Sequence, residues 1–168
     1  MKHKEARLHI LLSILFASII LGCITHGPRL LAYMSEKSGY YAASEESDYA
    51  IIPVTLGRAA LHVLIADTEE RRVKGLSYRE SLGKDQAMLF VFDEPGKHGI
   101  WMKSMKFPID IIWLDSNLHV IHIVKEASPR SFPEVFEPKD DASFVLEVNA
   151  GFSEKHDIGI GSELVLYR

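Results

Sequence analysis

After residue 50 the apolar residues of this chain come in short bursts, alternating or continuous, each closed by Gly, Pro, Asn, Asp or Ser. Such bursts predict β-strands, because side chains on an extended backbone alternate between two faces and a fully buried strand is apolar on both. Ile51, Ile52, Val54 and Leu56 predict a first strand, with Pro53 placing it at an edge or strand start. Gly57-Arg58 turns the chain into a second strand, Ala60 to Ala66. Asp67 to Gly75 breaks the pattern. Its cap candidates Asp67 and Thr68, early glutamates, later arginines and terminal glycine predict a short helix. Met88 to Phe92 is a continuous apolar run, read as a strand buried on both faces. Ile109 to Leu114 and His119 to Val124 form a hairpin across Asp115-Ser116-Asn117, and Phe144 to Val148 and Glu163 to Tyr167 supply the last strands, with a helical turn opened by Ser153 between them. About eight short strands with one or two short helices predict one mostly β domain, a β-sandwich or partly closed barrel, over residues 50 to 168.

The first 24 residues have another pattern: a basic start with Lys2, Lys4 and Arg7, an apolar run from Ile10, then Leu21-Gly22-Cys23. This is the outline of an export signal, and Cys23 after a small residue resembles a bacterial lipobox. The run from Ile10 to Ile24 is shorter than the roughly 20 residues of a spanning helix, although Leu8 extends it. Lipidation at Cys23 and an uncleaved anchor are therefore both open. Either one predicts a body outside the cytoplasm, in the cell envelope and held to a membrane. Residues 25 to 49 lose periodicity and fill with Gly, Ser, Glu and Tyr, as a flexible tether does. Cys23 is the one cysteine, so the chain has no intramolecular disulfide.

Charge narrows the partners. The formal net charge is -4, and beyond residue 22 there remain 16 basic and 22 acidic residues, or -6. A mildly acidic body without a basic stripe argues against nucleic acid. The Gly-x-Ser-x-Gly elbow, His-Glu-x-x-His and Gly-rich phosphate loop are absent from the sequence, which leaves little footing for nucleophilic, zinc or nucleotide chemistry.

The richest stretch is Gly99 to Asp115, which holds both tryptophans. Alternation puts Trp101 and Lys103 on one strand face and Ile100 and Met102 on the other. On the next strand Asp110 interrupts an otherwise apolar face, and Glu147 interrupts a later strand in the same way. A carboxylate among apolar neighbours must be paired, hydrogen-bonded or neutralised. Lys103 and Arg79, which follows Tyr78 just past the helix, are the expected partners of Asp110; a cap on the preceding loop is the other reading. Trp101, Lys103, Arg79, Asp110 and Glu147 together are the candidate ligand-binding cluster. Met102, Met105 and His98 suggest a thioether metal site, but methionine at such positions more often packs, and neither metal nor cofactor is expected. The proline-rich run 125 to 141 reads as one long irregular segment, functional or mobile, with a flap over the site as an open reading.

Glu70-Arg71-Arg72, Gly75-Leu76, Arg79, Met88-Leu89-Phe90, Trp101-Met102-Lys103, Pro108-Ile109-Asp110, Leu146-Glu147 and Ala150-Gly151 occur in an order and spacing that resemble the bacterial and archaeal family called domain of unknown function 192, over roughly residues 54 to 167. The chain departs from that pattern at Ser77, where the family usually has methionine, at Ala87, where it has glycine, and at Ser104-Met105, where it has Asn-Thr. The resemblance implies a small, mostly β, often exported domain with no assigned biochemical role.

Three functions remain. A membrane-tethered binding module for an envelope glycan or small anion, using the Trp/Lys/Arg/carboxylate cluster, ranks first. A structural or protein-interaction domain of the envelope ranks second. A glycan hydrolase with Asp110 and Glu147 as a carboxylate pair ranks third, and requires the two about 5 to 9.5 Å apart across one cleft. The leaning is against an enzyme.

Overall fold

A computed structural model describes residues 49 to 167. The signal or anchor segment, Cys23 and the tether up to residue 48 lie outside the described residues.

Nine strands are present among them: β1 (Ile51–Leu56), β2 (Ala59–Ala66), β3 (Gln86–Gly96), β4 (Ile100–Trp101), β5 (Ile109–Leu114), β6 (Val120–Ala127), β7 (Val135–Phe136), β8 (Ala142–Asn149) and β9 (Leu164–Leu166). Two short helices, α1 (Glu69–Lys74) and α2 (Phe152–Lys155), and a 3-10 turn at Pro129–Ser131 complete the set. Seven strands make one sheet in the order β6-β5-β8-β3-β2-β1-β9, while β4 and β7 form a separate two-stranded ribbon. Only β2 and β3 pair in parallel, which is what the α1 crossover between them allows.

The sheet curls into a half-barrel. Its two edges meet at one end: Leu164 N–H donates to the Leu118 carbonyl at 2.9 Å, Val120 N–H to Ser162 at 2.8 Å, and Gly161 N–H to Val120 at 2.8 Å. Of the two expected architectures the partly closed barrel is therefore the observed one. A sandwich would need a second sheet to cover the inner face, and here α1, the turn after it and the β4–β7 ribbon cover part of it instead.

The sequence pattern explains the elements. Thr68 caps α1, accepting from Arg71 N–H at 3.3 Å, and Gly75, at φ 48°, ends the helix by donating its N–H to the Arg71 carbonyl. Residues Ala87 to Val91 of β3 are all buried, as their unbroken apolar run predicts. On one sheet face Leu64, Met88, Phe90, Val145, Ile111 and Trp113 pack with Leu76, Ile100 and Met102 from the covering segments. Trp113 is fully buried, and its indole N–H donates to the His98 carbonyl at 2.8 Å.

Two expectations are corrected. Tyr49, read as the end of the tether, is 5% exposed and belongs to the core, with the Arg71 and Arg79 guanidinium carbons 5.8 and 5.9 Å from its ring centre. The run from 125 to 141 is not one irregular segment. Strand β6 extends into it to Ala127, and β7 pairs Val135 with Trp101 and Phe136 with Ile100. Gly99, just before that ribbon, leaves no room for a side chain: a Cβ there would sit 2.6 Å from Val135 Cγ1. Gly99→Ala is expected to cost about 1–3 kcal/mol as the ribbon yields. Urea unfolding would measure the loss, and an unchanged midpoint would show that Val135 moves aside freely.

Candidate functional site

Helix α1 and the turn behind it stand on one side of the sheet's covered face, and the β4 strand with its following loop stands on the other. Between them lies a cleft of about 230 Å³. Arg72, Lys74 and Glu69 come from α1, Phe90 and Phe92 from β3, Trp101 from β4 and Met105 from the loop beyond it. Glu147 of β8 is also part of the lining, and the register explains its place. It sits on a central strand, opposite Met88 of β3 and Ile111 of β5, so its side chain rises from the same face as that core.

Glu147 is 5% exposed, and its Oε2 has no hydrogen-bond partner among the described residues. Removal of the carboxyl from water pushes its pKa from the ordinary 4.5 up to about 8. At neutral pH the group is therefore mostly a neutral acid, able both to donate and to accept. Nothing in the fold requires an unpaired acid here, since leucine or methionine would pack on this face without the desolvation cost.

Arg72 is the principal cation of the wall. Its Nη1 donates to the carbonyls of Asp67 and Val91 at 2.9 and 2.8 Å, which fixes the guanidinium, and its Cζ lies 5.4 Å from the Phe92 ring centre. Phe92 in turn stacks on His98, ring centres 3.5 Å apart. No carboxylate among the described ion pairs neutralises Arg72. Trp101 supplies the opposite wall and, at 46% exposed, is a surface aromatic and not part of the core.

The two walls are latched together beyond Gly75. Ser77 Oγ donates to the Lys103 carbonyl and Tyr78 N–H to the Ser104 carbonyl, both at 2.9 Å, and Lys106 pairs with Glu80. Tyr78 and Ser104 both hold positive φ, 66° and 58°. Such backbone is costly for non-glycine residues and persists only where neighbours hold it, often beside functional sites. Ser77 and the Ser104-Met105 pair, two of the places where the chain departs from the family pattern, thus meet at the cleft.

Of the five sequence-derived site residues, Trp101 and Glu147 meet in this cleft. Lys103 points to solvent and contributes its backbone carbonyl to the latch. Arg79 packs on the Tyr49 ring instead.

Asp110 is fully buried, but on the opposite face of the sheet. It stands level with Val148 in the β5–β8 ladder, one position along from the Ile111–Glu147 pair. Its expected partners, Lys103 and Arg79, are replaced by three backbone amides: Oδ1 accepts from Glu126 and Gly151 at 2.9 and 3.1 Å, and Oδ2 from Ser153 at 2.8 Å. The cap expected on the preceding loop is replaced as well: the amides come from the β6 bulge and from the turn between β8 and α2. Facing opposite ways, Asp110 and Glu147 cannot flank one substrate, so the carboxylate-pair hydrolase is overturned by the pleat itself.

Sequence reasoning passed over Arg72, Phe90 and Phe92, and weighed Met105 only as a thioether ligand. Phe90 and Phe92 looked like core and are also core. The signal that distinguishes Arg72 is the doubled arginine in α1: Arg71 is satisfied by Asp67, just ahead of the helix, at 2.7 Å, and Arg72 reaches across to β3.

A curled seven-stranded half-barrel with a two-stranded ribbon and a small cleft on its covered face is the class of domain this chain forms. The chain belongs to the family named domain of unknown function 192, described as uncharacterized ACR, whose model matches residues 52–166. It is similar to a crystal structure from Sinorhizobium meliloti 1021 described as "a putative transcription regulator", at 31% identity and TM-score 0.67, covering 71% of this chain and 95% of that one. A protein of unknown function from Novosphingobium aromaticivorans DSM 12444 is similar at 26% identity and TM-score 0.70, covering 74% and 91%. No curated protein matches the chain.

Proposed function

We propose that this domain is a ligand-binding module of the cell envelope, held to a membrane outside the cytoplasm by residues 1 to 24, and that its site is the cleft between Trp101 and Arg72. The support for the location is the basic, apolar and Gly-Cys order of the N-terminal segment. The support for binding is one observation above the others: a buried carboxyl with an unpartnered oxygen lines a cleft walled by a half-exposed tryptophan. Concave, largely apolar sites with a few convergent polar groups are what small ligands use. The departures at Ser77 and Ser104-Met105 fall on the cleft's rim, where a ligand preference particular to this chain would be set.

The interaction-domain reading also has support. Trp101 and Val135 face each other across the β4–β7 ladder, 46% and 47% exposed, and Phe132 nearby is 47% exposed, so the ribbon's outer face is apolar.

Tryptophan quenching discriminates the two. Trp113 is fully buried, so acrylamide applied to the full chain reports on Trp101. A ligand from the small-molecule fraction of an envelope extract is expected to protect it, and Trp101→Ala to abolish both the quenchable emission and the ligand effect. Protection only by the protein fraction would favour docking and displace the cleft.

A further inference from the structure

The cleft's chemistry selects among ligands, and this step rests on the binding-module reading above. The charged groups facing Glu147 across the cleft all come from α1: Glu69, Arg72 and Lys74. The turn after α1 offers Ser77 to the lining, β3 offers Phe90 and Phe92, and the β4 segment offers Trp101 and Met105, none of them charged. From the strands beside it Glu147 meets Met88 and Ile111, and Asp110 of β5 faces away.

An organic cation would meet Arg72 and Lys74 with only Glu69 and Glu147 against them. A sugar would turn hydroxyls toward Leu76, Phe90 and Ile100, where they find no partner. Arg72 and Lys74 set against Glu69 leave one net positive charge in the lining, which a monoanion balances and a dianion exceeds. A monoanion with an apolar body fits each wall: its body lies against Phe90 and Trp101, one oxygen reaches Arg72, and the other reaches the buried acid.

We propose that the cleft binds a small monocarboxylate with an apolar or aromatic body, paired with Arg72 and sharing one proton between its carboxylate and the Glu147 carboxyl. Two carboxylates in contact in a dry site repel, and one proton converts that repulsion into a short O–H···O hydrogen bond. Binding therefore requires Glu147 to carry its proton. The sign follows: between the ordinary carboxylate range and about pH 8 the ligand is ionised, the free protein already holds that proton and affinity is flat, while above about pH 8 each bound anion must recruit one from solvent. Site occupancy becomes a readout of proton as well as of ligand.

Phenylacetate is the probe, titrated into the full chain with acrylamide quenching of Trp101 and with calorimetry in two buffers of different ionisation enthalpy. Affinity is expected to fall about thirtyfold from pH 7 to pH 9.5, as expected for one group titrating near 8, with close to one proton taken up at the upper end. Glu147→Gln is expected to bind with an affinity that does not change over that range and with no proton uptake. Arg72→Gln is expected to bind more weakly at every pH, with the slope kept. Binding that is pH-independent in the unmutated protein, with no proton taken up, would overturn the shared proton. Failure of phenylacetate to protect Trp101 would overturn the monocarboxylate; if an extract ligand still protects, the module reading survives, and if nothing does, both fall.

Discussion

Asp110→Ala is expected to destabilise the fold by about 4 kcal/mol or more, the largest loss of any single polar substitution considered. The carboxylate accepts from three amides that have nowhere else to go. Two of them belong to residues at positive φ, Glu126 at 52° and Gly151 at 78°. The first arises from a bulge. Ile109 pairs with Ala127 and Ile111 with Val124, so Lys125 and Glu126 together oppose Asp110, and the Glu126 amide released from the ladder turns to the side chain. The second and third hold the turn from β8 into α2. Hydrogen bonds to a charged group contribute about 1.5–3 kcal/mol each, and a buried amide left without a partner costs about 1–3 kcal/mol. Even with strong non-additivity the sum is a large part of the roughly 5–15 kcal/mol that holds a domain folded.

Asp110→Asn separates this account from a general intolerance of the position. Its one carbonyl oxygen can serve Glu126 and Gly151, but its amide group would then face the Ser153 N–H, donor against donor. A loss of about 2 kcal/mol, roughly half that of alanine, is expected in urea unfolding. Equal losses for the two variants would mean that volume, not hydrogen bonding, decides.

Glu147→Gln is expected to act in the opposite direction, and only at higher pH. Burial raises the Glu147 carboxyl from 4.5 to about 8, so between those values the folded chain binds more protons than the unfolded one. Stability then falls as pH rises through that window, by about 1.4 kcal/mol per unit at most, and levels off above it. Glutamine keeps the shape and the hydrogen-bonding capacity without the charge. The variant should match the unmutated protein near pH 4.5, should lose this slope, and should be more stable by a few kcal/mol at pH 8 and above. Thermal unfolding across pH 4.5 to 9 measures it. Parallel curves for the two proteins would show that Glu147 is hydrated in the folded state and that its desolvation is not what shapes the cleft floor.

The contrast between the two carboxyls also shows how far the amino-acid order reaches. Hydrophobic alternation marked most strands close to where they lie and singled out Asp110 and Glu147 as acids in apolar strands, while residue type at the helix ends narrowed the α1 cap to Asp67 or Thr68 and placed its stop at Gly75. These are local properties, governed by the pleat, by helix-end amides and by the cost of burying charge, and they need no knowledge of neighbours. The family pattern was readable for the same reason, as an ordered series of short motifs. Partners were not readable. Asp110 finds amides donated from 16, 41 and 43 residues away, and the bulge that frees one of them exists only once β5 and β6 have paired. Glu147 finds none, and its place in a cleft follows from β8 taking a central position between β3 and β5 while α1 and the β4 segment fold over it. Arg72 was not marked as a site residue because the Val91 carbonyl that holds it is brought near only by the β2–α1–β3 crossover. The chain by itself thus determined which groups are too polar for their strands; the curl of the sheet, by setting strand order and the coverage of each face, decided that one of them is bound by backbone amides and the other left free at the floor of a cleft.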